Sequence, residues 1–470
     1  MLPYAPLQML LFSYDDGLSM PDCLVMTSAN ESGAPICRDD EEARRELGPL
    51  CDAILSHNRM IRIRADDTVM ELFRGKPYMI RRSRGYAPLP VLLSQEWSGE
   101  VLAVGGELKN TFCLGSRNMF YLSPYVGDLE DLRTVTALQE TIGRFKTLLE
   151  LEPGIAACDL HPGYNSTQVA EAMGLPLIRV QHHYAHVVSC MAENDCSGPV
   201  IGVSFDGTGY GTDGTVWGGE ILLSDYQGFR RLGHIAPFPL SGGDLAAREG
   251  WRVAVTMLRG TLGDRAATIK TAEALGLCTA PEAKLVLTMA EKGVNTVTST
   301  SAGRLFDGIS ALLGVRRVST FEGEAAAQLQ FAAERCPAEK RPETVFGAEA
   351  CLMDGAPFLL DTGRLFRDIL TRRLSGEARD ALAYRFHLGL TELICAACVR
   401  ARECTGVNIA ALTGGCYQNL LLLELTVDRL RALDFQVLTH SQIPPNDGGI
   451  ALGQAVAAMF QSGMRNEESM

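Results

Sequence analysis

Positive charge, long apolar runs, a cysteine framework and low-complexity tracts are all scarce or missing in this sequence, and each lack removes a class of function. Lysine and arginine number 43 against 56 aspartates and glutamates, a formal net charge of −13. The electrostatic footprint of a protein that grips a phosphate backbone is therefore missing, and no nucleic-acid partner is expected. No uninterrupted apolar run approaches the roughly 20 residues of a membrane helix, so no membrane association is expected either. The 14 cysteines are scattered without a repeating framework, and no N-terminal series of charged, apolar and small residues announces export. A reduced, cytoplasmic protein is expected. The single CxxC spacing, Cys395-Ala-Ala-Cys398, has no second pair and lies in a helical pattern from Phe386 to Arg402. There the two thiols read as small buried hydrophobes. Only Arg465–Met470 reads as a frayed tail.

What is present is ample core. Hydrophobic residues make up 46% of 470, enough for about three domain-sized units by the usual length prior. Residues 1–90 end in a basic run, Met79-Ile-Arg-Arg-Ser-Arg-Gly-Tyr-Ala-Pro, and in Pro88 and Pro90, a composition that suits a linker. Beyond it, Glu100–Gly106, Pro199–Gly207 and Ile409–Gly415 are apolar runs that close on glycine, as buried strands entering tight turns do. Helical segments such as Arg133–Leu151 and Ala302–Leu313 lie between them, so the fold class is α/β. Three strand-to-glycine turns far apart in sequence predict one cleft assembled from several loops.

Such glycines let backbone N–H groups approach a phosphate, and a following helix N-terminus adds a favourable dipole. Gly105-Gly106, Asp206-Gly207-Thr208-Gly209 and Gly414-Gly415 fit that role, and together they favour a nucleotide. Three of the eight histidines crowd into Gln181–Glu193, QHHYAHVVSCMAE. On a helix, His182 and His186 share a face while His183 turns about 100° away. HxxxH supplies only two ligands and fits a plain helix start equally well. Asp206 in SFDGTG and Asp447 in IPPNDGGIALG are the natural supplement, although Asp beside Gly is also ordinary turn chemistry. Two imidazoles and two carboxylates suit Zn(II) or Fe(II), particularly against a nucleotide phosphate.

The blocks DLHPGYNSTQVAEAMGLPLIRVQHHYAHVVSCMAEN (Asp159–Asn194), VSFDGTGYGTDGTVWGGE (Val203–Glu220), GRLFDGISALLGV (Gly303–Val315), FEGEAAAQLQ (Phe321–Gln330), GGCYQN (Gly414–Asn419) and PPNDGGIALGQA (Pro444–Ala455) together resemble the HypF hydrogenase-maturation carbamoyltransferases. The resemblance implies a TsaD-like domain of the actin- and Hsp70-like ATPase fold, two α/β lobes around a nucleotide cleft, with a first lobe over 98–225 and a second over 226–465. It implies a metal held by His182, His186, Asp206 and Asp447. It makes Gly207, Thr208, Gly323, Gly415 and Asn419 nucleotide contacts, and Asp307 and Glu324 ribose contacts. Residues 1–92 resemble the C-terminal half of a YrdC-like domain through LVMTSANESGAPI (Leu24–Ile36), HNRMIRIRADDTV (His57–Val69) and MIRRSRGYAP (Met79–Pro88). In such domains Ser28 and Asn30 would contact ATP, and the nearby arginine cluster suits a triphosphate.

The implied activity is ATP-dependent carbamoyl transfer from carbamoyl phosphate, through carbamoyl-adenylate, to the C-terminal cysteine of the partner HypE. No protein nucleophile is required, so no catalytic side chain is assigned. ATP and Fe(II) or Zn(II), with Mg(II) as a further candidate, are the implied cofactors. Two other readings stand beside it: an O-carbamoyltransferase of small-molecule biosynthesis, and a non-catalytic nucleotide-binding scaffold. Family members normally carry an acylphosphatase domain, CxxC zinc fingers and the first half of the YrdC-like domain ahead of the segment matched here by LPYAPLQ. The YrdC-like domain is therefore expected to be incomplete and unable to make the adenylate.

Overall fold

The computed structural model describes residues 5–12, 16–18, 20–31, 33–347 and 352–468, without the side chains of 464–468. Residues 2–4 of LPYAPLQ, residue 32 of the Ser28–Asn30 loop segment and residues 469–470 of the expected frayed tail lie outside it. The chain divides into two compact units, Met1–Arg64 and Ala65–Met470.

The smaller unit has helices Pro6–Leu10 and Asp40–Leu47 and, among its described residues, no strand. Asp39 caps the second helix by accepting from the N–H groups of Glu41 and Glu42. Arg64 ties this helix to the loop before it, donating to the Ile36 carbonyl at 2.7 Å and pairing with Glu42 at 3.2 Å.

The larger unit is built on two sheets. The first has the strand order Pro90–Leu92, Met119–Leu122, Cys113–Ser116, Glu100–Ala103, Ile155–Asp159, Leu177–Val180, with the last three strands parallel. The second is nine-stranded, and its centre pairs Val200–Tyr210 with Ile409–Thr413 in parallel and with Val216–Ser224 antiparallel. Alternating strands and helices thus give α/β architecture, as the sequence predicts. The sheets do not divide at residue 225, however. Residues 200–224 belong to the second sheet because Val200–Tyr210 hydrogen-bonds to Ile409–Thr413, and the C-terminal helix Ile450–Glu468 returns to pack on the first.

Two further expectations change. The basic run expected as a linker begins inside the larger unit as the end of a hairpin, Val69–Phe73 with Lys76–Arg81, and only residues 82–89 beyond it run as loop and turn. Tyr78 is buried and its hydroxyl donates to the Tyr417 carbonyl at 2.9 Å, while the Met79 N–H donates to Ser441 at 3.2 Å. Buried apolar area outweighs the loop character of the basic residues. Nor does the chain turn at Asp206-Gly207. The strand continues to Tyr210 and turns only at Gly211–Gly214, with a register shift opposite Trp217–Gly219. The glycines serve packing instead: a Cβ on Gly303 would lie 2.9 Å from the Gly207 Cα, so helix Ala302–Leu312 sits directly on the strand.

The histidine helix, His182–Glu193, is buried along nearly its whole length between the two sheets' apolar clusters and the C-terminal helix. Its start is set by Gln181, whose side chain accepts from the Tyr184 N–H at 2.9 Å. Helix Arg379–Thr405 has mean hydropathy 1.3 over its most apolar window and is the one helix among the described residues long and apolar enough to cross a membrane; 89% of that window is buried inside the domain. Cys395 and Cys398 lie on it, buried, their thiols pushed up by burial, Cys395 to about 12.

Candidate functional site

His182 and His186, one helical turn apart, present their rings 4.9 Å apart at the point where the strand Leu177–Val180 gives way to the histidine helix. Asp206 reaches them from the second sheet. Asp447 reaches them from the short turn Asp447–Gly449 that opens the C-terminal helix. One ligand atom from each of the four residues falls within 4.8 Å of all the others. His182 Nε2 lies 3.3 Å from Asp206 and 3.5 Å from Asp447, and His186 Nε2 lies 3.5 Å and 3.6 Å from the same two carboxylates.

The donor set fits a cation. His186 Nε2 is buried and has no hydrogen-bond partner, a costly arrangement unless something accepts its lone pair. Burial disfavours an imidazolium at His182, yet the Asp447 and Asp159 carboxylates outweigh it and hold the group well above its ordinary value. Burial would likewise raise Asp206, but the hydrogen bond from His182 and the close His186 ring keep it well below the usual carboxylate range. The centre is therefore an anionic cluster that requires positive charge, supplied by protons or by a metal ion. Two imidazoles and two carboxylates accept Zn(II) and Fe(II) alike.

The sequence reading missed the residue behind the centre. Asp159, fully buried at the end of strand Ile155–Asp159, sits 2.7 Å from His182 Nδ1. That contact holds a proton on Nδ1 and turns Nε2 toward the carboxylates, and such a carboxylate is the usual outer partner of a metal-binding histidine. An apolar strand ending on Asp, IAACD, was the available signal. Glu193 was missed as well. Its Oε1 accepts the Ser441 and Ile443 N–H groups and its Oε2 meets His440, whose other nitrogen contacts Thr413. Those contacts fix the loop that carries Asp447.

The glycine loops do converge. A Cβ on Gly106 would stand 3.6 Å from Asp447 Oδ2, one on Gly209 would crowd His182 at 2.8 Å, and one on Gly415 would lie 2.8 Å from Asp206 Oδ1. The Gly415 N–H donates to that same oxygen at 2.8 Å. Gly207 and Thr208 follow Asp206 on its strand, Thr208 exposed, and the Gly207 carbonyl accepts from Ser301 Oγ at the start of helix Ala302–Leu312. Lys109, on the loop after Gly106, pairs with Glu322, the residue before Gly323; despite partial burial that pairing holds its ammonium up at about 12.

The remaining predicted contacts are engaged by the chain itself. Asp307 is buried, which raises its carboxyl, and it faces Arg304 at 2.7 Å. Glu324 accepts from the Thr320 N–H and hydroxyl and pairs with Arg316. Asn419 caps helix Leu420–Ala432 and donates to His387 at 2.8 Å. In the smaller unit, Ser28 is exposed, and the Asn30 side chain donates to the Glu31 and Ala34 carbonyls.

Residues 202–454 match the family described as "Carbamoyltransferase, Kae1-like Domain, second subdomain", residues 96–193 the "HypF Kae1-like domain", and residues 1–83 the family of YrdC, described as "Telomere recombination". Carbamoyltransferase HypF2 of Cupriavidus necator is 38% identical over 98% of this chain and 60% of its own length. A carbamoyltransferase HypF homolog of the same organism is 36% identical, covering 77% of this chain and 92% of the relative. A crystal structure of full-length HypF in the phosphate- and nucleotide-bound form matches with a TM-score of 0.89 at 37% identity, over 98% of this chain and 70% of that one. The HypF of T. kodakarensis matches with a TM-score of 0.84 at 34% identity, over 93% and 58%. The chain spans about three fifths of the length of the curated full-length relatives. A Kae1-like match over more than half of the residues, together with a relative covered nearly end to end, places the chain in the HypF carbamoyltransferase family.

Proposed function

We propose that this chain binds a nucleotide against the His182, His186, Asp206 and Asp447 centre and passes a carbamoyl group from carbamoyl-adenylate to the C-terminal cysteine of a HypE acceptor in the cytoplasm. Carbamoyl phosphate and ATP are the ultimate source of the group. The observation that carries the reading is the four-ligand cluster with the partnerless nitrogen of His186.

A Zn(II) or Fe(II) ion there would supply positive charge against nucleotide phosphates. Mg(II) would favour the carboxylates alone. The chain's own residues do the rest. Asp159 and His182 keep the centre's tautomer, and Gly106, Gly209 and Gly415 keep the surrounding backbone clear of side chains. Lys109 adds a cation beside the phosphate position. Gly207, Thr208, Gly323 and Gly415 offer backbone contacts to the nucleotide and Asp307 a polar one, while Glu324 and Asn419 shape the loops beside them. Ser28 and Asn30 belong to the adenylate-forming step.

In the transfer, the acceptor thiolate attacks the carbamoyl carbon, the new S–C bond replaces the C–O bond to the phosphate, and AMP leaves with that electron pair. Positive charge near the phosphate favours its departure. The test supplies carbamoyl-adenylate to the metal-loaded chain with either the HypE C-terminal peptide or small alcohols. Thiocarbamate on the peptide with matching AMP release, both lost in His186→Ala, is expected. Equal transfer by a metal-free His186→Ala variant would overturn the reading, and transfer to alcohols alone would reassign the acceptor.

A further inference from the structure

Next to the metal centre lies a second, different arrangement. A cavity of about 190 Å³ is lined by Arg81, Arg82, Lys109, Tyr125, Asn446 and Gly448, among others. Asn446 and Gly448 flank Asp447, so the cavity opens beside the centre without including its ligands. Two of its three cations are neutralised locally, Arg81 by Asp66 at 2.8 Å and Lys109 by Glu322.

Arg82 is not neutralised. It is 3% exposed, and among the described residues no carboxylate pairs with it. Its Nη2 donates to the carbonyls of Tyr86 and Leu89 at 2.9 and 2.7 Å, but Nε and Nη1 are buried without any acceptor. Three N–H donors of a permanent cation are thus left unanswered on a residue that lines the cavity. Burial pushes this guanidinium down to about 10. A buried charge without a counter-ion is among the most expensive features a fold can hold. Nearby, the half-buried Tyr125, which also lines the cavity, has its ring beneath the Arg81 guanidinium, 5.3 Å from the ring centroid.

We propose that this cavity is a phosphate-binding subsite, separate from the metal centre, in which Arg82 and Tyr125 hold a phosphate-type oxyanion. The site's excess of one positive charge and its cluster of spare donors match such an anion, and arginine is the residue best suited to it. The phosphate can belong to a nucleotide or be free, since both present the same oxygens.

The test follows thermal unfolding of the intact 470-residue chain in inorganic phosphate, pyrophosphate or AMP, with ionic strength held constant by NaCl. Saturable protection is expected in the wild type, with the apparent Kd raised at least tenfold in Arg82→Gln and less in Arg82→Lys and Tyr125→Phe. The last two keep the subsite testable if Arg82→Gln fails to fold. AMP protection that is tighter than that of inorganic phosphate and weakened by Arg82→Lys identifies the nucleotide as the source; tighter protection by inorganic phosphate identifies a free anion. His186→Ala should leave protection by inorganic phosphate and pyrophosphate intact, so failure of the metal centre and failure of this subsite are separable. Equal Kd values in wild type, Arg82→Lys and Tyr125→Phe, or loss of the inorganic-phosphate effect in His186→Ala, would overturn the proposal.

Discussion

Replacing Asp159 by asparagine isolates the part of the metal centre that touches no metal. The side chain keeps its shape, and its Oδ1 can still accept from the His161 N–H at 2.9 Å. What changes is the 2.7 Å contact with His182 Nδ1. An amide can accept there only if it flips the right way, and it no longer carries the negative charge that makes Nε2 a stronger donor to an ion. Loss of such an outer carboxylate typically costs 10–100-fold in metal affinity, equivalent to about 1.4–2.8 kcal/mol. Because Asp159 is fully buried, little solvent screening reduces the effect. Competition dialysis of Zn(II) against a chelator, on wild type, Asp159→Asn, His186→Ala and the double variant, measures it. His186→Ala should cost more than Asp159→Asn, and the double variant should cost less than the sum, since both changes act on one ion. A Zn(II) affinity of Asp159→Asn within threefold of wild type would refute the argument that this carboxylate tunes the centre.

Three further outcomes follow from particular contacts. His186→Ala should lose metal while keeping the wild-type far-UV spectrum, because the ligand faces a polar cluster; unchanged metal content by elemental analysis would sink the ligand assignment. Gly105 has φ +73°, and a Cβ there would run into the Thr111 carbonyl oxygen, so Gly105→Ala should destabilise by about 2–4 kcal/mol in urea unfolding. His387 is a neutral ring that donates through Nδ1 to the Ala383 carbonyl and accepts from Asn419, and its burial, outweighing the Ala383 hydrogen bond, depresses its pKa to about 4 from 6.5. Between those values the unfolded chain binds a proton that the folded one refuses, so stability falls as pH drops from 6.5 toward 4, by about 3 kcal/mol for this group; a His387→Leu variant should show a shallower decline, and identical slopes would contradict the assignment.

Much of the centre was legible because its chemistry is carried by side-chain type and short spacing. HxxxH places two imidazoles on one helical face whatever surrounds it, and Asp206 and Asp447 stood out against apolar strands and glycine. Asp159 was not legible, since its role depends on a parallel strand pairing that brings residue 159 alongside residue 180 and so to the start of the histidine helix. The course of the chain at Asp206-Gly207 was misread for a related reason. Glycine signals a turn when seen alone, but here helix Ala302–Leu312 lies against the strand, and close approach across a hundred residues leaves no local mark. The start of the basic run expected as a linker was misjudged because its arginines and prolines mask the burial of Met79 and Arg82, which ties it to the larger unit.

The way the centre is assembled bears on how it works. Its four ligands come from both sheets and from the turn that leads back to the first, so any rotation of one lobe against the other would change the ligand geometry. Two tethers limit that freedom on the Asp447 side: Glu193 with the Ser441–Ile443 backbone, and Ser189 Oγ with the Gly449 carbonyl at 2.9 Å. Both spring from the histidine helix, so Asp447 travels with His182 and His186. Asp206 is the ligand held from the other side, through the Gly415 N–H at 2.8 Å. Asp206 is tied to the histidines as well, since its strand packs on their helix and the Thr413 hydroxyl of the adjoining strand donates to the His186 carbonyl at 3.2 Å. The four ligands therefore stay together, and coupling arises from charge: a nucleotide phosphate beside a bound cation favours it, so metal affinity should be higher with nucleotide bound than without it, the reciprocal gain appearing in nucleotide affinity when metal is present.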